Sequence, residues 1–142
     1  MLKQSDWINH LLIETEKNPT EDKIFQIECC GKGCAEQNGH LASAKALAEA
    51  AKGCKTRSDY IAFMQNNFPF KVEEASDGII IHYGKEKCTC PMSSEVKSPM
   101  LCNCTLGHEK AMWSIVFGKQ VGAEIIDSFQ RGGSDCVVKI LL

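Results

Sequence analysis

Apolar residues recur at helical spacing through the first half of the chain and at alternating spacing through much of the second. Ser5 to Lys17 reads as an amphipathic helix with Trp7, Ile8, Leu11 and Leu12 on one face. Asn18-Pro19 breaks it, and Thr20 caps a second helix that carries Glu21 and Asp22 in its first turn. Ile24, Phe25 and Ile27 form the apolar side of that helix. It runs into Cys29-Cys30-Gly31-Lys32-Gly33-Cys34, where two glycines predict a bend. Leu41 to Ala51 is rich in alanine and leucine and predicts a third helix ending near Gly53. Thr56 with Asp59 three residues on predicts the start of a fourth, running through Phe63 and Met64 and stopped by Pro69.

The period then changes. Phe70 to Ala75 and Ile79 to Tyr83 read as strands joined at Ser76-Asp77-Gly78, a hairpin turn. A polar stretch with two prolines and four cysteines follows, up to Cys104, without a clear period; such a segment inside a compact domain usually signals function or disorder. Thr105 to Phe117 predicts a helix with Leu106, Met112, Trp113, Val116 and Phe117 as its apolar side. Val121 to Phe129 and Cys136 to Leu142 read as two more strands, with Arg131 to Asp135 turning between them. The expected fold is α+β: a helical N-terminal half packed on a C-terminal antiparallel sheet, in the order β-β-loop-α-β-β. The 142 residues fit one domain, with a helical part over 1–68 and a sheet part over 69–142 that carries the cysteine loop 85–104.

Composition narrows the function classes. A hydrophobic fraction of 44% and a charged fraction of 24% are ordinary for a globular protein. A formal charge of −2 and only two arginines, Arg57 and Arg131, give no electrostatic drive toward nucleic acid or an anionic membrane. No apolar run approaches the about 20 residues that span a bilayer, and the N-terminal segment lacks a signal peptide's apolar core. The expected location is therefore the cytoplasm, where thiols stay reduced.

That expectation changes the meaning of nine cysteines. Isolated ones such as Cys54 read as small buried hydrophobes. The clusters do not. Cys88-Thr89-Cys90-Pro91 and Cys102-Asn103-Cys104 place two C-x-C pairs at either end of one loop, a possible four-thiolate set. Sulfur's softness favours zinc, an iron–sulfur cluster or copper(I), and metal binding would order a loop poor in apolar residues. Unligated thiols lining a ligand pocket, or a redox disulfide, are the alternatives. Cys29, Cys30 and Cys34 are possible additional ligands. Cys104 also precedes the predicted helix at Thr105, so the helix end would depress its thiol pKa. His108 four residues on would then serve as its general base, making Cys104 and His108 the candidate catalytic pair. His82, which alternates with Ile80, and Trp113 are candidate pocket residues.

The stretch from Cys88 through Leu142 resembles small-molecule-binding domains of the 4-vinyl reductase type and the related L-2-amino-thiazoline-4-carboxylic acid hydrolase-like proteins. The residues that carry the resemblance are CTCP at Cys88 to Pro91, CNCTLG at Cys102 to Gly107, VFGKQV, and AEIIDSFQRGGSDCVVKI. The N-terminal CCGKGCA is similar to a cysteine bend in cysteine-rich members of the same group. The resemblance implies a pocket between an antiparallel sheet and helices, binding of small hydrophobic ligands or metals, and hydrolase activity in a few members. It also adds Cys136 to the matching cysteines, as a further possible ligand.

Three function classes follow. The first is a small-molecule or metal-binding module, a sensor or carrier, with zinc or an iron–sulfur cluster as its possible cofactor. The second is a cysteine-dependent hydrolase of a small C–N or C–S substrate. The third is a thiol or iron–sulfur redox protein. The expected partner is a small-molecule ligand, with neither nucleic acid nor membrane. A homodimer through Trp7 and the first helix is possible, as is burial of that face within the chain.

Overall fold

The computed structural model describes residues 3–84, 86–88, 90 and 93–142. Four helices come first: α1 (Gln4–Lys17), α2 (Glu21–Gln37), α3 (His40–Ala50) and α4 (Arg57–Asn67). The hairpin β1 (Lys71–Ala75) and β2 (Gly78–His82) follows, then α5 (Cys102–Phe117), β3 (Gly122–Asp127) and β4 (Val137–Leu141). The fold is α+β. The sheet has the order β1-β2-β4-β3 and is antiparallel throughout, with Ile81 opposite both Val72 and Val138, and Val138 opposite Ile125.

Local chemistry explains where the helices begin. Thr20 Oγ1 accepts the Lys23 N–H at 3.2 Å, and Thr56 and Asp59 close a reciprocal capping box at 3.0 and 3.1 Å. Gly118, at φ 68°, ends α5 in the left-handed conformation that glycine adopts without strain.

One face of the sheet is the core. Ile79 and Ile81 of β2, Val138 and Ile140 of β4 and Val72 of β1 meet Ala44 of α3, Met64 of α4 and Trp113 and Val116 of α5. Full burial of side chains such as Ile79, Ile81 and Ile140 stabilises the fold by about 1.5–3 kcal/mol each. A second, smaller apolar cluster joins Leu12 of α1 to Val96 and Leu101, with Ile8 and Ile27 against it. Trp7 and Leu11 point away from it, 69% and 53% exposed.

Two expectations need correction. The cysteine bend at Cys29–Cys34 is absent: α2 runs through it without interruption to Gln37. Gly31 faces α5 at a helix crossing so close that a Cβ there would lie 1.8 Å from the Cys104 carbonyl oxygen. Gly107 answers it from α5, where a Cβ would lie 1.8 Å from the Glu28 carbonyl oxygen. These glycines bring two backbones together instead of turning one. The ion pair of Lys110 with Glu28, at 3.0 Å, lies along the same crossing.

The second correction concerns the cysteine loop. Cys102 and Cys104 belong to α5, which begins three residues before Thr105. A 3-10 turn, Pro99–Leu101, leads into the helix, and Ser98 Oγ caps it by accepting the Met100 N–H at 3.1 Å. The preceding segment is tied down by ordinary contacts. Asn9 of α1 donates to the Glu95 carbonyl at 2.7 Å and accepts the Lys97 N–H at 3.1 Å, and Val96 is fully buried. Thr89 and Pro91 of the first C-x-C motif lie outside the described residues.

Candidate functional site

The start of α5, the end of α2 and the β3–β4 end of the sheet enclose a cavity of about 450 Å³. Six cysteines line it: Cys34 from α2, Cys88 and Cys90 from the segment after β2, Cys102 and Cys104 from α5, and Cys136 at the entry to β4. Segments far apart in sequence thus deliver thiols to one volume. Leu101, Ile125, Phe129 and Val138 supply apolar wall between them. His40 and His108 stand on the side toward α3, with His40 exposed.

Burial, reinforced by the neighbouring thiol groups of Cys90, Cys34 and Cys30, pushes Cys104 up to about 12. The expected depression by the helix start is therefore reversed: removing the side chain from water outweighs the favourable helix end. Cys136 is also raised, first by burial, against a lowering contribution from the Phe129 backbone. Cys102 Sγ lies 3.2 Å from Ser128 Oγ, and Gln130 Nε2 reaches Cys88 Sγ at 3.9 Å.

His108 has a partner other than Cys104. Its Nε2 lies 2.8 Å from His40 Nδ1, the two rings edge to face, so one nitrogen of the pair donates and the other accepts. Burial and His40 together hold His108 below the ordinary histidine value.

Glu109 is the unexpected member. Its carboxyl is buried and lines the cavity. Tyr83, at the end of β2, donates its hydroxyl to both oxygens, at 2.9 and 2.8 Å, and Trp113 Nε1–H donates to Oε2 at 2.7 Å. Burial nevertheless raises the Glu109 carboxyl above its ordinary value, since both donors are neutral. Burial and the neighbouring carboxylate push the Tyr83 hydroxyl well up as well.

The remaining candidates fall outside the cavity wall. His82 shares a sheet face with Ile80, but the core side is the one carrying Ile79 and Ile81. On the other face His82 Nε2 meets Glu73 Oε2 at 3.0 Å, so its place in the pocket is corrected. Trp113 is buried in the core and touches the site through Glu109, so it supports the wall without forming it. Cys29 and Cys30 are exposed on α2, and of that cluster Cys34 reaches the cavity. Cys54 is half-buried beside Arg57 and Tyr60, at a separate surface depression.

Among the described residues, no three Cys, His, Asp or Glu side chains stand together so as to hold one metal ion. The thiols are spread around a volume, a geometry that suits a molecule more than a single ion. Soft, polarisable sulfur, apolar side chains and the buried, hydrogen-bonded carboxyl of Glu109 make a wall able to bind an organic body and orient a polar group. None of the helices among the described residues is long and apolar enough to cross a membrane.

Glu109 was legible in the sequence as an acid inside an apolar stripe, with Leu106 before it and Trp113 and Val116 after it at helical spacing. Tyr83, Ser128 and Gln130 had no such signal, because they reach the cavity only through tertiary packing.

Comparison with known families assigns the chain. It belongs to the Family of unknown function (DUF6144), whose model matches residues 1–142. No curated protein matches it.

Proposed function

We propose that this member of the family is a binding protein that holds a small organic ligand in the cysteine-lined cavity, acting as a sensor or carrier. The observation that carries the reading is the convergence of six cysteines on one cavity of about 450 Å³, with Leu101, Ile125, Phe129 and Val138 as apolar wall between them. A thiol pushed up to about 12 is neutral at physiological pH and behaves as a small polarisable hydrophobe, which suits a wall. The same fact weighs against the hydrolase reading, which needs a thiolate at Cys104 and a free base at His108. The resemblance to 4-vinyl reductase-type domains implies a pocket of the same kind between sheet and helices.

A metal or iron–sulfur cluster is the second reading, favoured by the proximity of Cys30, Cys34 and Cys90 to Cys104. Soft thiol donors fit zinc or a cluster, and binding would deprotonate them. It asks those side chains to close on the metal from their present spacing.

The test is a fragment screen on reduced, untagged protein, read by amide shifts of Cys104, His108 and Glu109, with elemental analysis of the same sample. Organic fragments that shift those amides in metal-free protein support the reading. Stoichiometric zinc or iron that protects the thiols from alkylation replaces it with the second. Iodoacetamide at neutral pH should label exposed Cys29 well before Cys104. If Cys104 reacts first, the hydrolase reading takes its place.

A further inference from the structure

A carboxyl group withdrawn from water costs several kcal/mol unless a counter-charge or a full set of hydrogen bonds compensates it. Glu109 has two neutral donors, the Tyr83 hydroxyl and the Trp113 indole, and no lysine, arginine or histidine among the described residues acts on it. Of the two carboxylates among the described lining residues, Asp127 is engaged by its own turn, accepting the Ser134 N–H at 3.3 Å. Glu109 is fixed in orientation by its donors, faces a cavity lined by six cysteines and by the apolar Leu101, Ile125, Phe129 and Val138, and has no positive partner among the described residues. That is the arrangement of half an ion pair.

We infer that the ligand is a small amine whose ammonium head meets the Glu109 carboxylate while its apolar body lies against Leu101, Ile125, Phe129 and Val138. This rests on the reading of the cavity as an organic-ligand site. The ammonium donates to a carboxylate already held in place, so little ordering is lost on binding. Trp113 and Tyr83 are positioning residues, because they aim the carboxyl and touch the ligand's charge only through it. A neutral carboxylic acid at Glu109 would instead favour a hydrogen-bond acceptor, and an alcohol would bind as well as the amine.

The experiment compares 2-phenylethylamine with 2-phenylethanol, which share size and apolar body, by calorimetry at neutral pH on the full reduced chain. The amine is expected to bind the native protein at least about tenfold more tightly. Glu109→Gln keeps the side chain's shape and should lose that preference. Tyr83→Phe keeps the carboxylate and should retain it, which guards against a Glu109 variant that fails to fold. Equal binding of the two probes to native protein overturns the inference and leaves the organic-ligand reading standing. Binding of neither probe also overturns it, and the fragment screen then judges the organic-ligand reading separately. Retention of the preference by Glu109→Gln would place the ammonium elsewhere.

Discussion

The two sides of α5 follow opposite rules. At its crossing with α2 there is no spare volume: Gly107 and Gly31 let the two main chains touch, and one added methyl on either meets a carbonyl oxygen at 1.8 Å. Toward the sheet, the same helix carries Cys102 and Glu109 to a cavity of about 450 Å³. The contrast shows how a fold keeps a hole open. A helix clamped by backbone contact on one side does not slide inward to fill the space on the other, so the cavity survives the pressure toward close packing.

The largest test of this contrast is at the crossing. Gly31→Ala or Gly107→Ala should destabilise the protein by about 3 kcal/mol or more, because the obstacle is main chain and has no rotamer to yield. Urea denaturation would measure it, and an unchanged midpoint for either variant would remove the clamp from the account. Next comes the open side. Trp113→Phe removes the indole donor from a buried carboxyl and should cost about 1–3 kcal/mol.

The pH dependence is a subtler probe of that side. The folded-state pKa of Glu109 is raised above its ordinary 4.5, so between the unfolded and folded values the native protein holds more proton than the unfolded chain. The carboxyl's penalty is absent below the unfolded value and grows as pH rises through the folded one. Stability should therefore fall across that window on raising pH, and Glu109→Gln should flatten that part of the profile. A variant with the native slope would assign the titration to another group. The smallest effect is expected at Gly33, two residues from the clamp and on another face of α2, with nothing within 4 Å of an added Cβ. Gly33→Ala should stabilise α2 by about 0.5–1 kcal/mol, in opposition to Gly31→Ala. Equal losses at both positions would mean that α2 tolerates no methyl anywhere along this stretch.

The same glycines mark the limit of what the sequence revealed. Caps and breakers act locally, so Thr20, Thr56, Pro69 and the turn before Gly78 place their elements correctly. Gly31 and Gly33 look alike in a one-dimensional reading, and both suggested a bend; only the partner at Gly107, 76 positions away, distinguishes packing from turning. The start of α5 was missed for another reason. Ser98-Pro99 carries a cap followed by proline, the pattern of a helical start, but the cysteines just after it invited a loop. Cys34, Cys88, Cys90, Cys102, Cys104 and Cys136, all singled out from the sequence as candidates, meet at one cavity, whereas Cys29 and Cys30 do not line it. The upward shift of the Cys104 and Cys136 thiols was not legible, because it depends on burial that no spacing encodes.

The helix crossing also bears on inheritance. Most close contacts between side chains can be relieved by a second change: one residue grows and its neighbour shrinks. Here each glycine abuts the peptide backbone of the other helix, Cys104 for Gly31 and Glu28 for Gly107, and no substitution shortens a carbonyl. Neither position has a compensating partner. Across related sequences these two sites should therefore stay glycine independently of each other, without the paired variation that ordinary core contacts leave behind.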